Sequence, residues 1–341
     1  MTGEREHGGL LSHEPVMLCE VMAHLAPRPG ETFIDGTFGA GGYTRALLDA
    51  GARVMAIDRD PVAVAAGRDL EAASGDHLKL VEGRFSGLDA FANSFGFATA
   101  DGVVFDVGVS SMQIDDPERG FSFRHDGPLN MRMESGGVSA ADVVNRAPVK
   151  ALTRIIGVLG EEKRAGRIAR AIEAARREGP ITGTRQLANI VEKAAGTYRG
   201  PQRIHPATRT FQALRIFINC ELEEIAMALA AAESILKEGG RLVVVAFHSL
   251  EDRIVKRFVQ ARSRQSRGSR HGPQTIAARP SFTELTKRPI VPRDEEVAAN
   301  RRARSARLRA AIRTAAPAHM LDMKAVGVPV LAGVAGPEAY A

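Results

Sequence analysis

The stretch Phe33-Ile-Asp-Gly-Thr-Phe-Gly-Ala-Gly-Gly-Tyr43, followed by Val54-Met-Ala-Ile-Asp58, constrains the fold more than any other part of this chain. An apolar β-prone run enters a glycine cluster, a helical segment from Thr44 to Ala50 leaves it, and a second apolar run ends in an acid. That order is a β-loop-α-β unit. Gly36, Gly39, Gly41 and Gly42 permit positive φ and close approach of the backbone to a ligand. The N–H groups at the start of the following helix can face a polar or anionic group. Asp58 stands at the end of the second strand, where an acid accepts the ribose hydroxyls of an adenosine. The unit therefore predicts an adenosine-containing cofactor. A nicotinamide dinucleotide is the weaker choice, because Thr44 stands where the dinucleotide fingerprint has its third glycine.

Later segments repeat the pattern of a strand ending in a polar residue. Leu78 to Val81 reads as a third strand, with Phe85 just beyond it and in reach of an adenine ring. Gly102-Val-Val-Phe-Asp106 reads as a fourth strand, again running into an acid. Arg241 to Phe247 reads as a fifth, with His248 directly after it, Ser249 as helix N-cap and Asp252 three residues on. Ligands of doubly wound sheets bind outside the carboxyl ends of the strands. Gly36 to Gly42, Asp58, Phe85 and Asp106 are thus expected around one crevice, and His248 sits at another strand's carboxyl end. His248 and Glu251 supply too few ligands for a metal site.

Between these strands the period changes. Segments 140–145, 151–159, 161–177 and 184–195 have helical apolar spacing, broken at Gly160, Gly179-Pro180 and Gly196. They predict a helical insertion over 135–204 that interrupts a domain formed by 1–134 and 205–313. A single long helix is expected from Thr208 to Leu236, closed by Glu238-Gly-Gly240, and the last strands are expected from Ile290 and from Ser305 to Ile312. Residues 1–12 read as a flexible tail, 262–279 as a mobile basic loop, and 314–341 as an unstructured tail poor in charge.

Charge narrows the class of partner. The net charge is +6, but between Arg253 and Arg313 there are 17 Lys and Arg against 4 acids, so the rest of the chain is net acidic. Such asymmetry suits a polyanion, nucleic acid before membrane. Cys19 and Cys220 have no metal-binding spacing, and no apolar run is long enough to span a bilayer. A reducing, cytoplasmic setting with no membrane association is the expectation.

With these residues in view, the chain resembles the bacterial 16S ribosomal RNA cytosine-N4 methyltransferases. The matching stretches are His13-Glu-Pro-Val16, Ile34 to Gly42, Ala56-Ile-Asp-Arg-Asp-Pro61, Asp106-Val-Gly-Val-Ser-Ser111, Asp116 to Phe123, Asp126 to Met133, His205 to Arg215, Phe247 to Phe258 and Arg304 to Arg309. The resemblance implies a class I (Rossmann-like) methyltransferase sheet carrying a helical insertion. It implies S-adenosylmethionine as cofactor and a decoding-centre cytidine of 16S rRNA in the small ribosomal subunit as substrate. Carried over by position, the cofactor contacts fall on Gly41, Gly42, Tyr43, Asp58, Phe85, Asp106 and Gln113. Many relatives have His in place of Tyr43, so only a backbone contact is expected there. The tail beyond Arg313 exceeds what the family needs, and a homodimer stays open.

The exocyclic amine of cytosine is a weak nucleophile, so its methylation is chiefly an orientation problem. An acceptor on an amine N–H would localise the lone pair and later take the proton, and Asp106 is the candidate, with His248 beside it. Many amino-methyltransferases follow this acid with Pro-Pro-aromatic, whereas this chain has Val107-Gly-Val109. Phe121, Phe123 or His248 would have to clamp the base instead. A nicotinamide oxidoreductase and a non-catalytic RNA-binding assembly factor remain as rivals, the first opposed by Thr44 and the second by two acids at strand ends.

Overall fold

The computed structural model describes residues 15–196, 205–264 and 279–341. The tail expected over 1–12 and most of the basic loop expected over 262–279 lie outside them. The described residues form one seven-stranded sheet in the order β3-β2-β1-β4-β5-β7-β6. Its strands are β1 (Thr32–Asp35), β2 (Arg53–Asp58), β3 (Leu78–Glu82), β4 (Ala100–Asp106), β5 (Leu236–Ala246), β6 (Phe282–Glu284) and β7 (Arg307–Arg313). The first five are mutually parallel, and β7 runs antiparallel between β5 and β6. This is the Rossmann-like class I arrangement, with the order reversing between β1 and β4. A crevice at the carboxyl ends of the strands follows from that reversal.

Strand side chains alternate between two cores, as a period of two demands for a sheet covered on both faces. Phe33, Val54, Ala56, Val243 and Val245 join one cluster, packed under α1 (Leu18–Leu25) and α2 (Gly42–Asp49). Ile34, Met55, Ile57 and Val244 face the other, which runs without a break into the helical layer. Local chemistry sets the helix starts. Asp60 caps α3 (Pro61–Ser74) by accepting from Val62 N at 3.1 Å, with proline in the first turn. Ser110 and Gln113 form a capping box at α5 (Ser111–Asp115), after α4 (Leu88–Ser94), and Ser139 and Asp142 form another at α6 (Ala140–Arg146).

Helices α6, α7 (Val149–Leu159), α8 (Ala165–Glu178) and α9 (Thr184–Ala195) fill the region where the insertion was expected. A bridge between Pro128 and Gly183 ties its base to the loop after β4. The single helix expected from Thr208 to Leu236 is two: α10 (Ala207–Asn219) and α11 (Glu221–Ile235) meet at Cys220, which takes a left-handed φ of 50°. A left-handed residue other than glycine carries no signature in a helical pattern. Glu238 to Gly240 do not close the helix either. They lie inside β5, where the β4–β5 register shifts.

At the other end, His248 rather than Ser249 caps α12 (Ser249–Ser263), and Glu251 completes the capping box. The short α13 (Asp294–Ala299) precedes β7, and Ile290 pairs with Leu308 as an isolated bridge. Residues 314–341 are not unstructured. They include α14 (Met323–Val326), and Val326, Val328 and Tyr340 are buried. Tyr340 lies 6.1 Å from the Phe217 ring, and its carbonyl accepts from Arg146 Nη1 at 2.9 Å. A segment too short, and too rich in small residues, to form a core of its own can still complete one built by others. No helix among the described residues is long and apolar enough to cross a membrane.

Candidate active site

The glycine loop connects β1 to α2 beneath the crevice. A β-carbon on Gly36 would lie 2.4 Å from Phe105 Cε1, so only glycine lets the loop lie on β4. Gly41 is the N-cap of α2 with φ of 77°, and no side chain caps the helix. The N–H groups of a first turn have no intrahelical partner, which leaves Gly42 and Tyr43 to offer theirs outward. Gly42 is pressed by Pro15, whose ring a β-carbon would meet at 2.6 Å. The Tyr43 ring turns away into the core, and its hydroxyl donates to the Val16 carbonyl. Only its backbone faces the loop.

Asp58 sits across the loop at the end of β2. Its side chain is not unmatched: Oδ2 accepts from Gly39 N at 2.7 Å and Oδ1 from Asp60 N at 2.9 Å. Burial raises its carboxyl above the usual range and these two N–H groups oppose that. Each oxygen keeps a second lone pair, which is what a ribose diol requires. Phe85, half-buried in a 3₁₀ turn after β3, lies 5.6 Å from Phe105 ring to ring, beside Gly36.

Asp60, Gln113 and Arg119 brace the rim. Gln113 Nε2 and Arg119 Nη1 donate to Asp60 Oδ2 at 2.9 and 2.7 Å, while Gln113 Oε1 accepts from Ser110 N at 3.1 Å. Gln113 therefore has one free amide hydrogen for a ligand, and its larger role is to hold α5 against the cofactor side.

The far wall is made where β4 and β5 end side by side, Asp106 opposite Val245. Asp106 N donates to Thr37 Oγ1 at 2.7 Å, but its Oδ1 is buried with no partner. Burial, and then the charges of Asp35 and Glu251, push its carboxyl well above the usual carboxylate range. His248 Nδ1 accepts from Glu251 N at 3.4 Å. His248 Nε2 lies 2.9 Å from Glu251 Oε1 but off the line a hydrogen bond needs, so both atoms are buried without one. Burial pushes Glu251 up, but His248, Arg215 and the Phe247 N–H outweigh it and hold the carboxylate low. Arg215 grips Glu221 with Nε and Nη2 at 2.9 and 2.8 Å.

Asp58, Phe85, Asp106 and the glycine loop thus lie at or just beyond the carboxyl ends of the parallel strands, with Gln113 on α5 beside them and His248 just beyond β5. Arg215, Glu221, Thr37 and Arg119 went unrecognised in the sequence, and Glu251 was weighed there only as a metal ligand, although all but Glu221 lie in or beside the matching stretches. Glu221, His248 and Glu251 place three ligand atoms within 4.8 Å of one another, but the Arg215 guanidinium already holds both oxygens of Glu221. Phe123 is committed elsewhere, packed 4.8 Å from Phe211 and 4.6 Å from His205.

Much of the basic stretch is spent inside the fold. Arg309 is buried on Asp252, Arg262 on Glu233, and Arg313 on backbone carbonyls. Arg253, Arg293 and Arg302 pair with Glu161, Glu20 and Asp115. Lys256, Arg257, Lys287, Arg288, Arg301 and Arg304 stay on the surface.

Comparison with known proteins adds the family. The profile of the MraW methylase family matches residues 10–314. "Ribosomal RNA small subunit methyltransferase H" of Sinorhizobium medicae is 58% identical over 96% of this chain and 95% of its own length. The protein of the same name from Rhodopseudomonas palustris strain TIE-1 is 59% identical over 94% of this chain and 96% of its own. Among solved structures, an rRNA methylase from Streptococcus thermophilus aligns with a TM-score of 0.39 at 11% identity, covering 86% of this chain and 95% of that one. The 1,6-didemethyltoxoflavin-N1-methyltransferase from Burkholderia thailandensis, solved with 1,6-didemethyltoxoflavin and S-adenosylhomocysteine, aligns with a TM-score of 0.37 at 14% identity, covering 87% of this chain and 76% of that one. No residue-level correspondence follows at such scores.

Proposed function

The chain belongs to the MraW methylase family, and from that premise we propose that it methylates N4 of a decoding-centre cytidine in 16S ribosomal RNA, in the cytoplasm, using S-adenosylmethionine. One observation carries the site-level reading: an uncapped helix start and Asp58 lie on one side of a crevice, and the orphaned Asp106 Oδ1 lies on the other. The first side suits a ribose and a carboxylate, and the second suits an amine.

When bound, S-adenosylmethionine supplies an electrophilic methyl group on a sulfonium. Gly42 and the Tyr43 backbone offer N–H groups to its carboxylate, while Gly41, whose own N–H goes to the Phe38 carbonyl at 2.7 Å, lets the chain pass close to it; Asp58 accepts from the ribose, and Phe85 flanks the adenine. Gln113 acts through Asp60, with one hydrogen left for the ligand. Asp106 faces the reacting centre. A cation placed beside it draws its raised carboxyl back toward the ionised form, in which Oδ1 accepts from the amine. Surface Lys and Arg of the basic stretch and of the helical insertion take phosphates. Because the target base belongs to a structured RNA, it must be turned out of its stack to reach the crevice.

The test is to incubate the protein with labelled S-adenosylmethionine and small subunits lacking the modification, then map the labelled nucleotide. Label on N4 of a decoding-centre cytidine is the expected result. Cofactor binding with no label on the subunit would move the substrate elsewhere, and nicotinamide binding in its place would revive the oxidoreductase reading.

A further inference from the structure

Glu251 is wholly buried, yet one of its oxygens is unused. Oε2 accepts from Phe247 N at 2.8 Å and from His248 N at 3.0 Å, which fixes the carboxylate at the junction of β5 and α12. Oε1 is left over, and the titratable and charged groups around it are His248 at 2.9 Å, Arg215 at 3.9 Å and, more distantly, Asp106. It points toward Gly108, two residues beyond Asp106: a β-carbon there would stand 3.8 Å from Oε1, and the residue's φ of 120° admits glycine alone. The turn that carries Asp106 thus packs its backbone, without a side chain, against Oε1.

A buried acceptor without a donor is destabilising, and such costs persist where a ligand satisfies the group. Two orphaned carboxylate oxygens, one at the end of β4 and one in the first turn of the helix that follows β5, ask for a ligand with two donors. The exocyclic amine of cytosine is one such group, and a carboxylate is the side chain that reads it, whereas uracil presents an acceptor at the same place.

We propose that Asp106 Oδ1 and Glu251 Oε1 accept the two N–H bonds of the target amine, so that Glu251 selects cytosine over uracil and takes the proton released on methylation. This rests on the function proposed above. As the N4–carbon bond forms, the methyl–sulfur bond breaks and leaves its electron pair on sulfur. N4 sheds one proton, keeping that bond's electrons, and the proton passes to Glu251 Oε1. The two carboxyls are pushed in opposite directions by their surroundings, as is common where they divide acid–base work. Glu251 is the one already ionised before a cation arrives.

The experiment uses the full chain with S-adenosylhomocysteine, and small subunits carrying either unmodified cytidine or uridine at the target position. Wild type should bind the cytidine subunits about tenfold more tightly or better. Equal binding of the two would overturn the inference with no variant needed. In Glu251→Gln the amide oxygen can keep the bonds to Phe247 and His248, and the NH₂ group then faces the amine. That variant should lose or reverse the preference for cytidine and turn over at least about a hundredfold more slowly, with S-adenosylmethionine affinity unchanged. A purely structural role would weaken binding to both subunits alike, and that result, or wild-type turnover in the variant, also overturns the inference. If wild type itself puts no methyl on cytidine N4, the function proposed above fails, and this inference fails with it.

Discussion

Thr44 Oγ1 donates a 2.7 Å hydrogen bond to Asp35 Oδ2, and both side chains are fully buried beneath the glycine loop. Asp35 Oδ1 accepts from Thr37 N at 3.1 Å, so one carboxyl ties the end of β1, the loop and α2 together. A dinucleotide site has glycine where Thr44 stands because its helix must press close to the strand. Here a small side chain fits the same place and is used as a brace. The departure from the fingerprint therefore has a mechanical cause as well as a diagnostic value.

Thr44→Val keeps the shape and removes the donor. Stability should fall by about 1–3 kcal/mol, the usual cost of stranding a buried acceptor, and cofactor affinity should fall with it. Urea unfolding and calorimetric titration of S-adenosylmethionine would measure the two effects.

Burial raises the Asp35 carboxyl from 3.8 to about 6, against the opposing pull of its Thr44 and Thr37 hydrogen bonds. A raised carboxyl favours the protonated native state. Its stabilising contribution is complete below the unfolded value and is lost as pH rises through about 6. Asp35→Asn removes that loss. The stability difference should shift in the variant's favour by about 3 kcal/mol between pH 4 and pH 7, as read from urea midpoints at each pH. A constant difference across that window would contradict the assignment.

Gly36→Ala places a methyl group 2.4 Å from Phe105 Cε1. The ring must give way, at a cost of about 1–3 kcal/mol, and the same shift disturbs Phe85, which packs on it. Cofactor affinity should fall more than thermal stability alone would suggest, which paired melting and binding measurements can show.

Asp106→Asn should leave cofactor binding within a fewfold of wild type and slow methyl transfer by at least about a hundredfold. Single-turnover kinetics with saturating S-adenosylmethionine separate the two. Unchanged turnover would remove Asp106 from the chemistry.

Deleting residues 320–341 uncovers the surface that Val326, Val328 and Tyr340 bury. At about 1.5–3 kcal/mol for each large apolar side chain, the loss should reach several kcal/mol and lower the melting temperature by more than about 5 °C. An unchanged melting curve would mean that the tail only rests on the fold.

The cofactor side was legible because it is local: β1, the glycines, α2 and Asp58 fall within one short stretch, and their spacing states their geometry. The far wall was not. Arg215, Glu221 and Glu251 sit on helical stretches where a charge ordinarily marks a solvated face, and only the way α10 and α11 meet near the start of α12 makes them neighbours. Asp106 and His248 were visible as residues following strands, but the sequence said nothing of an oxygen left without a donor. Cys220 hid the division between α10 and α11 because its left-handed turn lacks a glycine. The Ala/Gly/Pro/Val-rich tail misled because composition describes what a segment can do alone, not what it can complete.

Strands β4 and β5 lie side by side, yet the whole helical insertion separates them in sequence. Closing so large a loop costs an entropy that grows only with the logarithm of its length, but it must be met before the pairing returns anything. The helices between them form from near-neighbour contacts and shorten that loop as they pack. The refolding chain should therefore protect the amides of β1, β2 and the insertion from hydrogen exchange before those of β5 and β7. On that schedule the methyl-transfer crevice is among the last features to exist, and the cofactor meets a nearly finished protein rather than guiding its assembly.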